Sequence, residues 1–348
     1  MPELSFQVLW GKSVISVLDE RWDELERTAP ATTSFQTRNW YRAWITTVAE
    51  AEGAVPVIVR VPTDGRLRAA AALQFRTSRG VLVVECLTTP WADYHEAIGD
   101  PSDVPAVSAL CRGLCHVLDA LGAELDLCDV VPGGLLDTVA TALGITPTQA
   151  SVTAAINLRR RGTVSRILER REHVRKWRRL ERLGDAVLAH WMDRRSIRNR
   201  LPAFISMHQT QWSSRPDAVA PFDGDVVDRG FQAIVDHMAP AGSVVLSELT
   251  IDGNPIAMYF GFRHRSWYGG YRTTFDRNWR RLSPGHLLLR GMVADFADLG
   301  LIELDLMRDV HDYKALYADL YRSNVRFSVQ SSPRAIDRSP KRSSEDDI

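Results

Sequence analysis

Three short stretches in the last third of the chain carry residues that could do chemistry together. The first is Arg280 to Leu289, RRLSPGHLLL, which opens a helix. The first backbone N–H groups of a helix have no partner inside it and gather at its positive end, so they suit a diphosphate. Ser283 is expected at the N-cap, Pro284 at the first helical position, and Gly285 where a ligand must approach the backbone closely. Arg280 and Arg281 add charge beside the turn, and His286 follows on it. An ordinary strand-to-helix turn with two solvated arginines would use the same residues. The second stretch is Leu301 to Met307, LIELDLM. Strand alternation puts Ile302, Leu304 and Leu306 on one face, and Glu303 and Asp305 on the other. A carboxylate at 305 could take a proton, directly or through water. An ion pair of Asp305 with Arg308 or Lys314 is the structural alternative, and both can hold. The third is Tyr313-Lys314 at the start of the next helix, with His311 either a spare proton carrier or a surface residue. Upstream, Trp267 to Tyr271 reads WYGGY, where Gly269 and Gly270 suit a bulge, a close backbone approach, or simply a bent strand.

These stretches need elements to hold them. SVVLSELTIDG (Ser243 to Gly253) alternates and ends in an Asp-Gly hairpin turn. NPIAMYFGFRH (Asn254 to His264) and SWYGGYRTTFD (Ser266 to Asp276) follow as strands. After the helix come LIELDLM, the helical HDYKALYADLY, and a closing strand NVRFSVQ. The N-terminal half repeats the order: a strand at Phe6 to Trp10, helices at DERWDELERTA and FQTRNWYRAWITTVAEAEG, and strands AVPVIVRV, LRAAAALQFRT and VLVVECLTT. An irregular segment from Trp91 to Asp100, a helix from Val104 to Leu121, strand ELDLCDVV and helix LLDTVATALG complete it. In the helix at 104 to 121, Val107, Leu110, Leu114, Val117, Leu118 and Leu121 make one apolar stripe, and Gly122 caps it. Strand TAAINL at 153 to 158 starts the second pass or is shared between the two.

At 348 residues the chain is long enough for two domains, and its 45% apolar and 25% charged residues are ordinary for a globular protein. A net charge of zero calls for no polyanionic partner such as DNA. The opening MPELSFQVLWGKS lacks the pattern of a signal peptide, and no stretch of about eighteen apolar residues is expected to span a membrane. Cys86, Cys111, Cys115 and Cys128 read as buried free thiols of a reducing cytoplasm, because Cys111 and Cys115 lie one helical turn apart and lack further ligands at metal spacing. Hydrolase, P-loop, zinc-protease and dinucleotide signatures are missing.

The order from Ser243 to Val329 resembles the C-terminal domain of GNAT-fold acetyltransferases, specifically the CelD-type group found in polysaccharide and cell-envelope loci. The residues that carry the resemblance are Asp252-Gly253 with Ile256-Ala257, the start Ser283-Pro284-Gly285, and Asp305 followed by Tyr313-Lys314. The family segment usually reads DFLRG, three residues, then YK and a nearby Trp. Here it reads DLMRDVHDYKALY, with Asp309 for the glycine and Tyr317 for the tryptophan. The resemblance covers 150 to 330 and reaches 1 to 149 through the tryptophan-rich helix at 35 to 50 and Trp91-Ala92-Asp93-Tyr94. It implies an α/β (α+β) fold of tandem GNAT-like domains, an architecture shared with Fem-type aminoacyl transferases: a degenerate one at 1–150, an acyltransferase domain at 151–330, and a disordered tail at 331–348.

The resemblance also implies a reaction: transfer of an acyl group from acetyl-CoA or another acyl-CoA to a small-molecule amine by direct attack, with no permanent cofactor. Tyr268, Gly269 and Gly270 would lie along the pantetheine, and Arg280, Arg281, Ser283, Gly285 and His286 along the diphosphate. Asp305 would take the amine proton, Tyr313 would protonate the leaving thiolate, and Lys314 would neutralise an oxyanion or a phosphate. Trp91, Asp93 and Tyr94 would meet the acceptor across the domain cleft. Two other readings stay open: an aminoacyl-tRNA donor, as in Fem-type enzymes, and a non-catalytic binding protein, to which Asp309 lends weight. Arg159 to Arg182 holds eleven Lys or Arg against three Glu, a net of plus eight. It is either a solvated helix face or a contact for a phosphate-rich ligand through Arg175, Arg178, Arg179 and Arg182.

Overall fold

The computed structural model describes residues 3–212 and 224–330; the expected tail at 331–348 lies outside them. The N-terminal half runs β1 (Gln7–Trp10), α1 (Glu20–Thr28), α2 (Arg38–Thr47), β2 (Val55–Thr63), β3 (Arg66–Ser78), β4 (Val81–Cys86), β5 (Ile98–Gly99), α3 (Val104–Leu121), β6 (Glu124–Val130), α4 (Leu135–Ala142) and β7 (Thr148–Asn157). The C-terminal half runs α5 (Arg161–Leu168), α6 (Arg171–Glu181), β8 (Ala186–Trp191), α7 (Arg194–Trp212), α8 (Asp225–Met238), β9 (Val244–Ile251), β10 (Asn254–His264), β11 (Trp267–Phe275), α9 (Pro284–Asp298), β12 (Glu303–Arg308), α10 (Asp312–Ala315) and β13 (Leu320–Val329). The hairpin turns Asp64-Gly65, Arg79-Gly80 and Asp252-Gly253 all have both residues at positive φ, as a two-residue turn between twisted strands requires.

All the strands join one mixed sheet, in the order β1-β2-β3-β4-β6-β13-β7-β12-β11-β10-β9-β8, with β5 on β3. The two ends mirror each other. Each half holds one parallel pair of strands, β4 with β6 and β11 with β12. Each half then receives its sixth strand from the other: β13 pairs with β6, and β7 with β12. The central pair β7–β13 is antiparallel. The closing strand therefore begins at Leu320 rather than Asn324, and α10 is a single turn, shorter than the helix expected there.

Apolar side chains cover both faces. α3 and α4 bury Leu110, Leu114, Val117 and Val139 on one side of the N-terminal half, and Phe327 of β13 lies in that core. α9 buries Leu287, Met292, Val293 and Phe296 on the same side of the C-terminal half. The opposite face is one core shared by both halves, where Phe35 and Trp40 meet Phe262 with ring centroids 5.6 and 5.4 Å apart. Among the described residues, α3 alone has the length and apolar composition of a membrane span, contrary to the expectation that none would; here its stripe packs on the sheet. The four cysteines are free, but only Cys86 is buried and Cys115 is exposed.

Phe327→Ala is expected to cost about 3–5 kcal/mol, although Phe327 lies close to the end of the described chain. Because the halves exchange strands, both should still unfold in one transition, with tryptophan fluorescence and circular dichroism coinciding in guanidinium. Two separated transitions would contradict the shared sheet.

Candidate active site

β11 and β12 pair only at Trp267–Glu303, Tyr268–Leu304 and Gly269–Asp305, and then part. The cause lies in Asp305, which is 1% exposed. Its Oδ1 accepts the Met307 N–H at 2.7 Å, and Met307 turns to a φ of 64°. The register with β7 slips over the same residues, between Asp305 and Arg308. Oδ2 accepts the Tyr94 hydroxyl at 2.6 Å and the Trp267 Nε1–H at 3.3 Å. On the other wall β11 bulges against β10, where the pairing passes from Phe260–Arg272 to Gly261–Gly270. A Cβ on Gly269 would strike Trp267 and Met307, and one on Gly270 would strike Tyr259, so both positions need glycine.

The parted strands open a cleft of about 850 Å³. Gly270 to Thr273 form one wall, and Leu306 to Asp309 the other. Gly285 and His286 close one end, with Tyr313 and Lys314 beside them. At that end, the N–H groups of His286 and Leu287 both reach the Ser283 carbonyl, at 3.0 and 3.2 Å, and Pro284 has none. The Gly285 N–H is thus the first-turn donor left for a ligand among the described residues. Ser283 stands at the N-cap position but does not cap: it sits at a φ of 51°, and its hydroxyl accepts Lys176 Nζ at 2.7 Å. Arg280 and Arg281 are exposed and do not line the cleft.

Tyr313 lines the cleft, and burial pushes its phenol up to about 12. Lys314 also lines it, but its Nζ donates to the Met307 and Arg308 carbonyls, and burial lowers its pKa. Arg308 ties the halves together. Its Nη1 donates to Asp129 at 2.8 Å, its Nη2 to the Pro90 carbonyl at 2.8 Å, and its Nε lies 3.0 Å from Asp93 Oδ1. Asp305 therefore pairs with neither Arg308 nor Lys314, the two ion-pair partners considered from sequence. Asp93 reaches the cleft wall, Tyr94 reaches Asp305, and the Trp91 carbonyl accepts the Tyr271 hydroxyl at 2.7 Å. Trp91, Tyr94, Tyr268, Gly269 and Asp305 stand behind the lining rather than in it.

The structure brings forward Lys176 and Arg272, which sequence reasoning did not single out, and sets Arg308, considered there only as a partner for Asp305, between Asp93 and Asp129. Lys176 was legible as a neighbour of His173, Trp177 and Leu180 on the packed side of α6, whereas Arg175, Arg178, Arg179 and Arg182 are exposed. Asp309 has a φ of 66°, so the position occupied by glycine in the resembling family is left-handed here too, and an aspartate holds it.

Residues 169–315 match the family model described as acetyltransferase (GNAT) domain. No curated protein matches the chain in sequence. Among solved structures, FemX superposes with a TM-score of 0.66 at 13% identity, over 89% of this chain and 95% of that one. The C-terminal domain of a protein named as a lysylphosphatidylglycerol synthetase, from Agrobacterium fabrum, gives 0.58 at 10% identity, over 91% and 92%. The tandem GNAT protein from the clavulanic acid biosynthesis pathway gives 0.50 at 12% identity, over 94% and 99%. At such identities the likeness concerns the fold, which is the tandem, GNAT-like, mixed α/β arrangement expected from the sequence.

Burial raises the Asp305 carboxyl from 3.8 to about 6. The folded chain thus holds this proton more tightly than the unfolded one. The stability it contributes is present below about pH 4 and is lost as pH rises through about 6, on the order of 3 kcal/mol. Asp305→Asn, fixed in the neutral form, is expected to flatten that dependence in urea unfolding between pH 4 and 7. Asp305→Ala, which strands the Met307 N–H and the Tyr94 hydroxyl, should cost about 1–3 kcal/mol for each. An Asn variant that follows the wild-type pH dependence would remove Asp305 as its source.

Proposed function

We propose, taking the GNAT-type tandem fold as premise, that the chain transfers an acyl group from acyl-CoA to a small-molecule amine in the cleft between β11 and β12. The observation that carries this reading is the junction of that cleft with the start of α9, where Gly285 lines the cleft and Lys176 Nζ reaches the neighbouring Ser283 hydroxyl at 2.7 Å. A thioester with a diphosphate at the far end of an extended arm has the shape and charge such a junction takes. The contrast with the other half supports it. At α3 the corresponding helix start is capped by Asp103, which accepts the Ala106 N–H at 3.2 Å and is itself paired with Arg68. A helix end already capped by a carboxylate repels a phosphate; α9 has no side-chain cap, and the carboxylate near its start, Glu172, is paired with Lys176 at 2.6 Å.

In this reading the amine attacks the thioester carbon, the carbonyl oxygen gains charge, and the thiolate leaves. Tyr313, protonated through neutral pH, is the donor for the departing sulfur. Lys314 and Arg308 shape the β12 wall, Lys314 by clasping its carbonyls and Arg308 by fixing it to Asp93 and Asp129. Asp305 acts on the site through the strand geometry and not by contact with the substrate. The CelD-type resemblance and a cytoplasmic setting fit an acyl-CoA donor. A second reading, an aminoacyl-tRNA donor, is favoured by the likeness to FemX and by the exposed arginines of α6.

Calorimetry with acetyl-CoA is expected to show micromolar binding that weakens about tenfold, or about 1.4 kcal/mol, in Lys176→Ala. Arg281→Ala, on the exposed turn, should weaken it less. No binding of acetyl-CoA, with transfer activity abolished by ribonuclease, would replace the acyl-CoA donor by the tRNA-linked one.

A further inference from the structure

Three arginine or lysine side chains line the cleft among the described residues, and two of them are engaged. Arg308 is held between Asp93 and Asp129, and Lys314 donates to the carbonyls of Met307 and Arg308. Arg272 differs. It is half-buried and forms no ion pair among the described residues, its one hydrogen bond there running from Nη1 to the Tyr271 carbonyl at 2.8 Å. Asp309 and Asp312 line the same cleft and are exposed, but neither pairs with it. The guanidinium carbon lies 4.1 Å from the centroid of the Tyr271 ring. That ring is fixed in turn, since the Tyr271 hydroxyl donates to the Trp91 carbonyl at 2.7 Å. A stacked guanidinium with one N–H tied down has lost much of its freedom before a ligand arrives. The edge left over is Nε with Nη2, the pair of donors that matches a carboxylate through two parallel bonds. These two groups are not among the polar atoms buried without a partner, so solvent reaches them.

Arg272 also stands apart from the place given to the donor's diphosphate. It pairs with Phe260 across the β10–β11 ladder, and residues directly opposite in an antiparallel pair share a face. Phe260 lies in the core shared by both halves, whereas α9 packs on the other face of the sheet. On the shared-core face Arg272 has His208 of α7 as a neighbour: burial lowers the pKa of that imidazole to about 3, and the Arg272 charge adds to the effect.

We propose that Arg272 anchors a carboxylate of the acceptor, so that the acceptor amine is an amino acid and the product its N-acyl derivative. This rests on the acyl-transfer reading and adds the acceptor's class to it. The two anionic substrates then take cations on opposite faces of the sheet, the donor Lys176 beside the start of α9 and the acceptor Arg272 beside α7. An amine without a carboxylate leaves the guanidinium in the cleft without a counter-charge, and the site discriminates against it for that reason.

The deciding experiment uses the full chain with acetyl-CoA and follows thiol release with matched acceptors. These are the standard amino acids, β-alanine and γ-aminobutyrate, each beside its carboxamide and its decarboxylated amine. The carboxylate-bearing amines are expected to react with a kcat/KM about tenfold or more above that of their partners, the scale of one hydrogen-bonded charge. Arg272→Ala should remove that preference, and Arg272→Lys, a point charge without the fork, should restore part of it. In both variants the Kd for acetyl-CoA should stay within about threefold of wild type, which also shows them folded. A second arm needs no turnover and decides alone where no amine of the panel reacts. In wild-type chain, with and without CoA, acetate should move the ¹⁵N-edited Nε–H signal of Arg272, and acetamide or equimolar chloride should not. Amides that react as well as acids, a preference that survives Arg272→Ala, or a signal unmoved by acetate would each overturn the anchor. Loss of acetyl-CoA binding in Arg272→Ala would overturn it too, by giving Arg272 to the donor's phosphates. Wild-type chain that binds no acetyl-CoA would overturn the acyl-transfer reading instead, and the acetate arm would still decide Arg272.

Discussion

Asp305 accepts the N–H of Met307 within its own strand, and an N–H bonded to a side chain is no longer available to a neighbouring strand. The ladder with β11 stops at that residue, the register with β7 slips, and the chain turns through two left-handed positions, Met307 and Asp309. The cleft follows from this local choice. Its floor holds because the same carboxylate accepts Tyr94 from the other half, and because Arg308, three residues on, is fixed between Asp93 and Asp129. A buried carboxyl is costly unless its oxygens are satisfied, and here both are. The elements that hold the halves together are therefore those that keep the strands apart.

The two halves share a topology and have diverged in what their helix starts hold. Both contain a parallel pair at the place where a splay can form. In the N-terminal half, the parallel contact of His95 with Val130 lays an irregular segment beside β6, and Asp103 caps α3. In the C-terminal half the corresponding space is open and the helix start lacks a side-chain cap. The first half has become a support: its irregular segment supplies Asp93 and Tyr94 to the second half's site. The exchange of β7 and β13 makes that support permanent, since neither sheet is complete without a strand from the other.

Much of the fold was legible because its signals are local. Asp-Gly turns, the capped apolar stripe of α3 and the strand order from Ser243 onward each follow from a few neighbouring residues. The strand exchange was not legible, because β13 can satisfy its alternation against either half and nothing in NVRFSVQ names its partner. The site divides along the same line. Gly269, Gly270, Gly285 and Tyr313 were found through backbone demands and motif position, and the structure sets them in or against the cleft. Ser283 was read by its type as a capping residue, yet its left-handed φ turns the hydroxyl toward Lys176. Lys176 was missed in a run of arginines, because charge alone cannot say which side chain faces inward; its helical neighbours His173, Trp177 and Leu180 were the signal.

Tyr317 shows how a departure from a family pattern acquires meaning only in three dimensions. An aromatic at this position fills the same space whether it is tyrosine or tryptophan, so the sequence suggests a neutral exchange. An indole N–H donates but does not accept, whereas a phenol does both. At 317 the phenol stands between two imidazoles contributed by α6 and α9, elements more than a hundred residues apart in the chain. A buried hydroxyl with two partners is satisfied, but among the described residues His173 Nδ1 is left without one, and His286 lines the cleft. A core built for stability alone would have filled this space with apolar side chains, because an unsatisfied buried nitrogen lowers stability. Three polar rings in a line that ends at a residue lining the cleft therefore carry a stability cost that an apolar filling would avoid.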